Sequence, residues 1–416
     1  MKQIHKRFSS EQVKELLERY EKRAISRKAI EEVLGIKKVR LFRILKRYRE
    51  DKNKFAIGYE RRSSNNKISE EAEKRIREEL ERERSWIKDK DIPVYWNNYS
   101  EIKRELETKG KIKISVPTII NRAKEWGYYQ KKQKRSKHDR EVISNYTGEL
   151  IQHDSSHHLF APLSREKYYL ITSLDDYSRY ILYAKLFKRE STAAHIKALE
   201  KVFSKHGFPL NYYVDNHSIF RFVGGRDDTM ERRYDKTDEY DTQWQQVLRE
   251  CRVGKINALS PQAKGKVERS YRWLQDHLVR QCMRNEVRTI EQAQEILDEE
   301  IRVYNYKRRH STTQEVPAYR FKSAIKDNNL WRRFEIPKPY ISIKDIFCMR
   351  ETRVADGYRA ISLNTLKIRI NKINPYDEVD IRIYVLNEQI SELRFWRGNQ
   401  LLDIQKFQNK HLDVYF

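Results

Sequence analysis

The chain has 416 residues, enough for roughly two to four domains with real cores, and its 87 Lys and Arg against 61 Asp and Glu give a formal net charge of +26. No apolar run approaches the ~18 residues of a membrane span, and the N-terminus MKQIHKRFSSEQ lacks the apolar centre of a secretory leader. Three scattered cysteines (Cys251, Cys282, Cys348) form no CxxC pair, which argues against a disulfide framework or structural zinc and suits a reducing, cytoplasmic setting.

Charge is unevenly spread. Residues 1–140 hold 41 Lys and Arg against 23 Asp and Glu, so the basic surplus sits mainly in the first third, as for an appended nucleic-acid-binding region. Within it, Ser9 or Ser10 can cap a helix with Val13, Leu16, Leu17 and Tyr20 inward, and Ser26 a second with Ala29, Ile30, Val33 and Leu34 inward. Gly35 ends the second, and a third carries Val39, Phe42, Ile44 and Leu45 beside Lys37, Lys38, Arg40, Arg43, Lys46, Arg47 and Arg49. Residues 1–50 thus read as a helix-turn-helix module whose last helix enters the major groove, with Lys37, Lys38, Arg40 and Arg43 as DNA contacts; a basic bundle for protein docking is the other reading.

RRSSNN reads as linker, and residues 67–129 as a second helix-turn-helix or winged-helix unit. Its parts are a helix Lys67–Trp86, a helix capped by Ser100 and stopping near Gly110, a KIKIS strand, and a recognition helix VPTIINRAKEW with Pro117 in its first turn. YYQKKQKRSKHDR is a basic connector.

ELIQHD, KYYLITSLDD and RYILYAKLF then read as three strands, followed by a helix Ala193–His206, a break at Gly207-Phe208-Pro209 and an apolar strand ending in Asp215-Asn216. From Leu259, LSPQAKGKVERSYRWLQ starts a helix at Ser260-Pro261. Val267, Tyr271, Leu274 and Leu278 face a core, and Glu268 lies one position off that stripe amid Lys264, Lys266, Arg269 and Arg272. Pattern alone gives mixed α/β.

The ordered set QHD, YYVDNHSIF and SPQAKGKVER with WLQDHLV resembles the DDE transposases of the retroviral-integrase superfamily, in particular the ISNCY-like group of bacterial insertion sequences, over about residues 148–321. The resemblance implies a multidomain protein: N-terminal all-α helix-turn-helix modules, a central α/β RNase H-like integrase core over 141–322, and a C-terminal small β-barrel over 337–416. The short alternating runs YISIKDIF, YRAISL, LKIRIN, EVDIRIYVL and ISELRFW also suggest that barrel. The core departs from the family's compact form by an insertion near 222–243, rich in acids and glycine, within the 53 positions between Asp215 and Glu268.

The resemblance makes Asp154, Asp215 and Glu268 the catalytic and metal-binding triad. Two Mg²⁺ ions, with Mn²⁺ able to substitute, would lie about 3.5–4 Å apart, Asp154 bridging both and the other acids holding one each. Asn216, Gln262, Lys264, Lys266 and Arg269 are candidate DNA contacts. The implied activity is binding of transposon ends, cleavage and strand transfer into target duplex DNA by a homo-oligomer. An RNase H-like nuclease, or a non-enzymatic DNA-binding regulator derived from a transposase, are the alternatives. Asp175 and Asp176 compete for the first acid, but their setting between two strands reads as a turn. His153, His157 and His158 lack the spacing of a zinc set and read as phosphate-contacting or surface groups.

Overall fold

The computed structural model describes residues 4–58, 68–131, 144–215, 217–220, 242–258, 265–364 and 366–412, and side chains at 265–270 lie outside that description. The chain divides into two compact units, Met1–Arg75 and Ile76–Phe416.

The first unit holds α1 (Ser10–Glu21), α2 (Arg27–Leu34) and α3 (Lys38–Glu50). Ser9 caps α1 in a capping box with Gln12, Ser26 caps α2, and Gly35 ends α2 at φ 62°, a left-handed geometry that glycine adopts freely. Val13, Leu17, Ile30, Leu34, Leu41, Leu45 and Tyr48 make the core. The expected inward face of α2 needs correction: Ala29 and Val33 are exposed, because Ile30 and Leu34 form its buried stripe. On α3 the buried stripe is Leu41, Leu45 and Tyr48, which leaves Val39 71% and Phe42 42% exposed.

The second unit opens within α4 (Glu70–Lys88), followed by α5 (Tyr99–Thr108) and α6 (Val116–Glu125). Asn98, not Ser100, caps α5, and Ser115 caps α6 with Pro117 in its first turn. KIKIS is not a strand: Ile112 and Ile114 pack against the helical core from an extended segment that pairs with no strand, so no wing forms among the described residues.

The central sheet comprises β1 (Leu150–Ala161), β2 (Glu166–Asp175), β3 (Ile181–Phe187), β4 (Asn211–Val214) and β5 (Gly254–Asn257), in the order β3-β2-β1-β4-β5. The first three are antiparallel, and β4 and β5 run parallel to β1. Three antiparallel strands, a helix and a fourth strand follow one another as expected, in a mixed α/β sheet. One face is covered by α7 (Thr192–His206) and α8 (Gln243–Glu250), the other by α9 (Gly265–Arg284) and α10 (Ile290–Tyr306). A further helix, α11 (Pro317–Asp327), adds Ala318 and Phe321 to the α7 side. The expected insertion near 222–243 lies almost wholly outside the described residues.

The α4–α6 module is bound to α9 and α10 by buried charge. Arg280 meets Glu83 at 2.8 Å with both side chains fully buried, Arg284 meets Glu79 at 2.5 Å, and Arg104 bridges Glu101 and Glu300. Burial raises the Glu101 carboxyl, but His277 beside it at 2.9 Å and Arg104 outweigh that and hold it down to about 2. The sign follows: stability from this depressed carboxyl is present above its ordinary 4.5 and lost as pH falls toward 2. Glu101→Gln should therefore cost on the order of 3 kcal/mol near pH 7 and very little near pH 2. Chemical unfolding at several pH values checks this, and a cost that does not change with pH would sink the assignment.

After α12 (Ile343–Ile346), the strands are β6 (Met349–Val354), β7 (Ala360–Leu363), β8 (Leu366–Arg369), β9 (Glu378–Val385), β10 (Ile390–Arg397) and β11 (Gln400–Gln408). The run YISIKDIF turns helical instead of extended because Ser342 and Asp345 form a capping box. The expected barrel is not closed. A four-stranded sheet β11-β10-β9-β6 and a separate β7-β8 ribbon pack face to face through Ile361, Ile368, Val379, Ile381 and Phe395, and no pairing among the described residues joins β6 to β11. This region is fastened to the core by Glu250 of α8, which accepts from Arg350 and Arg382.

Candidate active site

Asp154 lies in the middle of a twelve-residue strand, not at the strand end expected from ELIQHD. Its cross-strand partner is Thr172 on β2, and directly opposed residues share a face of the sheet. Thr172 Oγ1 donates to the Tyr271 hydroxyl of α9 at 2.8 Å, so the Asp154 side chain belongs to the α9 face. Tyr271 in turn donates to the Asp154 carbonyl at 2.5 Å, and one turn on, Gln275 Nε2 donates to Ser156 Oγ at 2.9 Å. Helix and strand are therefore stitched together side by side. Burial pushes the Tyr271 hydroxyl well above its ordinary value, and the Asp154 charge pushes it further; the phenol stays a donor.

Asp215 arrives from the other side. The parallel register pairs Leu150 with Asn211, Ile151 with Tyr212 and Gln152 with Tyr213. Continued by two residues, it sets Asp215 level with Asp154 on neighbouring strands, which are spaced about 4.8 Å apart. Asp215 follows the last residue of β4 and accepts from the His217 backbone N–H at 3.0 Å. The turn beyond is held because Lys255 donates to the Phe220 carbonyl at 2.9 Å and Phe220 is buried against Trp244.

Position 268 lies in the first turn of α9, three residues before Tyr271. Its side chain, with those of Lys266 and Arg269, is outside the described residues, as are Asn216, Gln262 and Lys264. Among the described residues no group of three His, Cys, Asp or Glu side chains could hold a metal ion. The two described acids offer oxygen donors only, the donor type suited to Mg²⁺. Lys37, Lys38, Arg40 and Arg43 are all exposed on or beside α3.

Asp175 and Asp176 are structural, as their sequence context suggests. Buried Asp175 accepts from the Gly148 and Ser178 backbones, and Asp176 from Gln152, Arg179 and Ser144. Asn305 pairs with both backbone groups of Ile181. Of the three histidines, His153 departs from expectation. His153 is fully buried, because odd positions of β1 face α7, and it stacks on Trp244 at 5.7 Å. His158 is half-buried and lowered by that burial; His157 is exposed and stacks on Tyr169 at 4.2 Å. Sequence reading missed the bridging role of Tyr271, seen only as a core residue, and missed Glu190 and His195, which carry no local signal beyond an ordinary helix start.

Residues 249–317 match the profile of the integrase core domain. A Sinorhizobium fredii protein with the provisional name transposase y4bF is 25% identical over 277 residues, which is 66% of this chain and 56% of that protein. The transposase for insertion sequence IS1202 of Streptococcus pneumoniae is 29% identical over 212 residues, 50% of this chain and 43% of that protein. The chain thus spans about half the length of these relatives. Among solved structures, the HTLV-2 integrase catalytic core domain in complex with magnesium is 16% identical with a TM-score of 0.31, covering 42% of this chain and 96% of that one. The simian T-cell lymphotropic virus intasome in complex with a PP2A regulatory subunit is 13% identical with a TM-score of 0.35, covering 73% and 95%.

Proposed function

We propose that this chain, a member of the DDE transposases of the integrase superfamily, binds transposon ends as duplex DNA and catalyses cleavage and strand transfer with Asp154, Asp215 and Glu268. What supports the reading is the parallel register of β1 with β4, which, continued past its last pair, would bring Asp215 level with Asp154, beside a helix tied to the Asp154 carbonyl by Tyr271. Asp154, Asp215 and Glu268 offer oxygen donors and would hold two Mg²⁺ ions, for which Mn²⁺ would substitute. Bound there, the ions would relieve charge on the attacking and leaving oxygens of a phosphodiester. The residues of the chain do the rest. Asp154 is fixed from two sides of the sheet, Asp215 is oriented by its own turn, and Lys264, Lys266 and Arg269 supply positive charge for the backbone phosphates.

The test is to incubate labelled, pre-cleaved ends with plasmid target and Mg²⁺. Joined products support transposition, hydrolysis alone turns the reading to a nuclease, and specific binding without any Mg²⁺- or Mn²⁺-dependent cutting turns it to a regulator. A homo-oligomer that pairs two ends is part of the proposal, and the mass of the complex on DNA checks it.

End recognition is assigned to α3, whose exposed Val39 and Phe42 sit among basic side chains and can meet thymine methyls. Replacing Lys37, Lys38, Arg40 and Arg43 singly by Ala should each lower the slope of log affinity against log salt by about 0.9 where the residue meets a phosphate. Fluorescence anisotropy over a salt series measures this, and four unchanged slopes would remove α3 from the interface.

A further inference from the structure

Two side chains flanking Asp154 turn to the opposite face of the sheet, and both lead to one carboxylate. Ser155 Oγ donates to Glu190 Oε1. His195 Nε2 lies 3.0 Å from the same oxygen, His195 Nδ1 lies 2.8 Å from His153 Nε2, and His153 Nδ1 lies 2.9 Å from Ser173 Oγ. An ionised carboxylate only accepts hydrogen bonds. His195 must therefore carry its proton on Nε2 and, as a neutral ring, accept at Nδ1. His153 then carries its own proton on Nε2 and accepts from the Ser173 hydroxyl. The polarity of the whole chain is set at the Glu190 end.

The links have little freedom to rearrange. His153 and His195 are fully buried, and His153 is boxed by Trp244, Phe220 and Tyr212, with ring centroids 5.7, 5.7 and 5.8 Å away. Phe220 also meets the His195 ring edge-on at 5.1 Å. Glu190 sits just ahead of α7, whose cap is Ser191, so its position is inherited from a helix start. Burial lowers His195 more than Glu190 raises it, which favours the neutral ring.

We propose that Glu190 and His195 are positioning residues for Asp154. They hold the residues on either side of that carboxylate from the α7 face, while Tyr271 holds its carbonyl from the α9 face. Two carboxylates brought level by the continued β1–β4 register would repel each other, and a strand left free to twist would let them part. This inference rests on the reading of Asp154 as a metal ligand.

The test uses the full chain with Glu190→Ala and Glu190→Gln, whose amide oxygen can still accept from Ser155 and His195. Glu190→Ala should lower strand transfer from pre-cleaved ends by about 10–100-fold at unchanged KM for the ends, and should weaken Mn²⁺ binding without DNA by a similar factor. Glu190→Gln should restore most of both. Nitrogen-15 spectra of labelled histidines in metal-free protein should give Nε2-protonated tautomers for His153 and His195, kept in Gln and lost in Ala. Wild-type Mn²⁺ affinity and turnover in Glu190→Ala, or Nδ1-protonated tautomers in the unmodified protein, overturns the proposal. If Glu190→Ala fails to fold, Ser155→Ala removes one arm alone: a loss of Mn²⁺ affinity of about 3-fold or more supports the proposal, and none overturns it. Full activity in Asp154→Asn would instead sink the reading beneath it, while leaving the tautomer result intact.

Discussion

Asp154→Asn and Asp215→Asn are each expected to cut strand transfer by about 10³-fold while end binding stays within about twofold. The substitution removes one charge and keeps the shape. At Asp154 it leaves the carbonyl that accepts from Tyr271 untouched, so α9 keeps its anchor on β1. At Asp215 the amide oxygen can still accept from the His217 N–H, so the turn after β4 survives. Both acids are only partly buried. End binding is assigned to α3, in a separate compact unit, and so should persist. Gel-shift titration with joining assays on the same preparations separates binding from chemistry. Near-normal joining by either variant would remove that acid from the reaction, and equal loss of binding and joining would point to misfolding.

Much of this site was legible in the sequence because strand ends and helix stripes obey short-range rules. The Asn211 strand, the break at Gly207 and the stripe Tyr271, Leu274, Leu278 each follow from neighbours within a few residues. Ser9, Ser26 and Gly35 marked helix limits for the same reason. What escaped depends on partners far along the chain. His153 looked like a surface group because its burial is decided by His195 of α7 and by Trp244, more than 40 positions away in each case. Asp154 looked terminal because the polar run Ser155 to His158 hides a continuing strand, which pairs with Ile171 through Tyr168. The C-terminal runs were read correctly as strands for the most part, yet closure is a property of edges, which alternation does not encode.

The α4–α6 module shows the same limit at larger scale, and it yields the other large effect. Glu83 and Arg280 are both fully buried and 2.8 Å apart, a pairing across almost 200 positions that the local pattern of neither helix encodes. Arg280 also donates to the Trp96 carbonyl and to Asp276, so one guanidinium joins α4, the loop before α5 and α9. Arg280→Ala should destabilise the second unit by about 3–5 kcal/mol, because it strands a buried carboxylate. The companion Glu83→Gln in the same chain should return a large part of that loss. The pH dependence has a definite sign. Burial pushes the Glu83 carboxyl up to about 7 against the pull of Arg280. A raised carboxyl favours folding below its ordinary 4.5, and that contribution is lost as pH climbs through the folded value. Without Arg280 the folded value moves higher still, so the deficit should be small near pH 5 and widen above pH 7. Urea unfolding at these two pH values, read on the single and double variants, decides it. A deficit that narrows at high pH would mean that Glu83 is not the group left unpaired. Because α9 carries position 268 at its start and Arg280 near its end, the same variant should also lower strand transfer if Glu268 is the third metal ligand as proposed, through loosening of its helix.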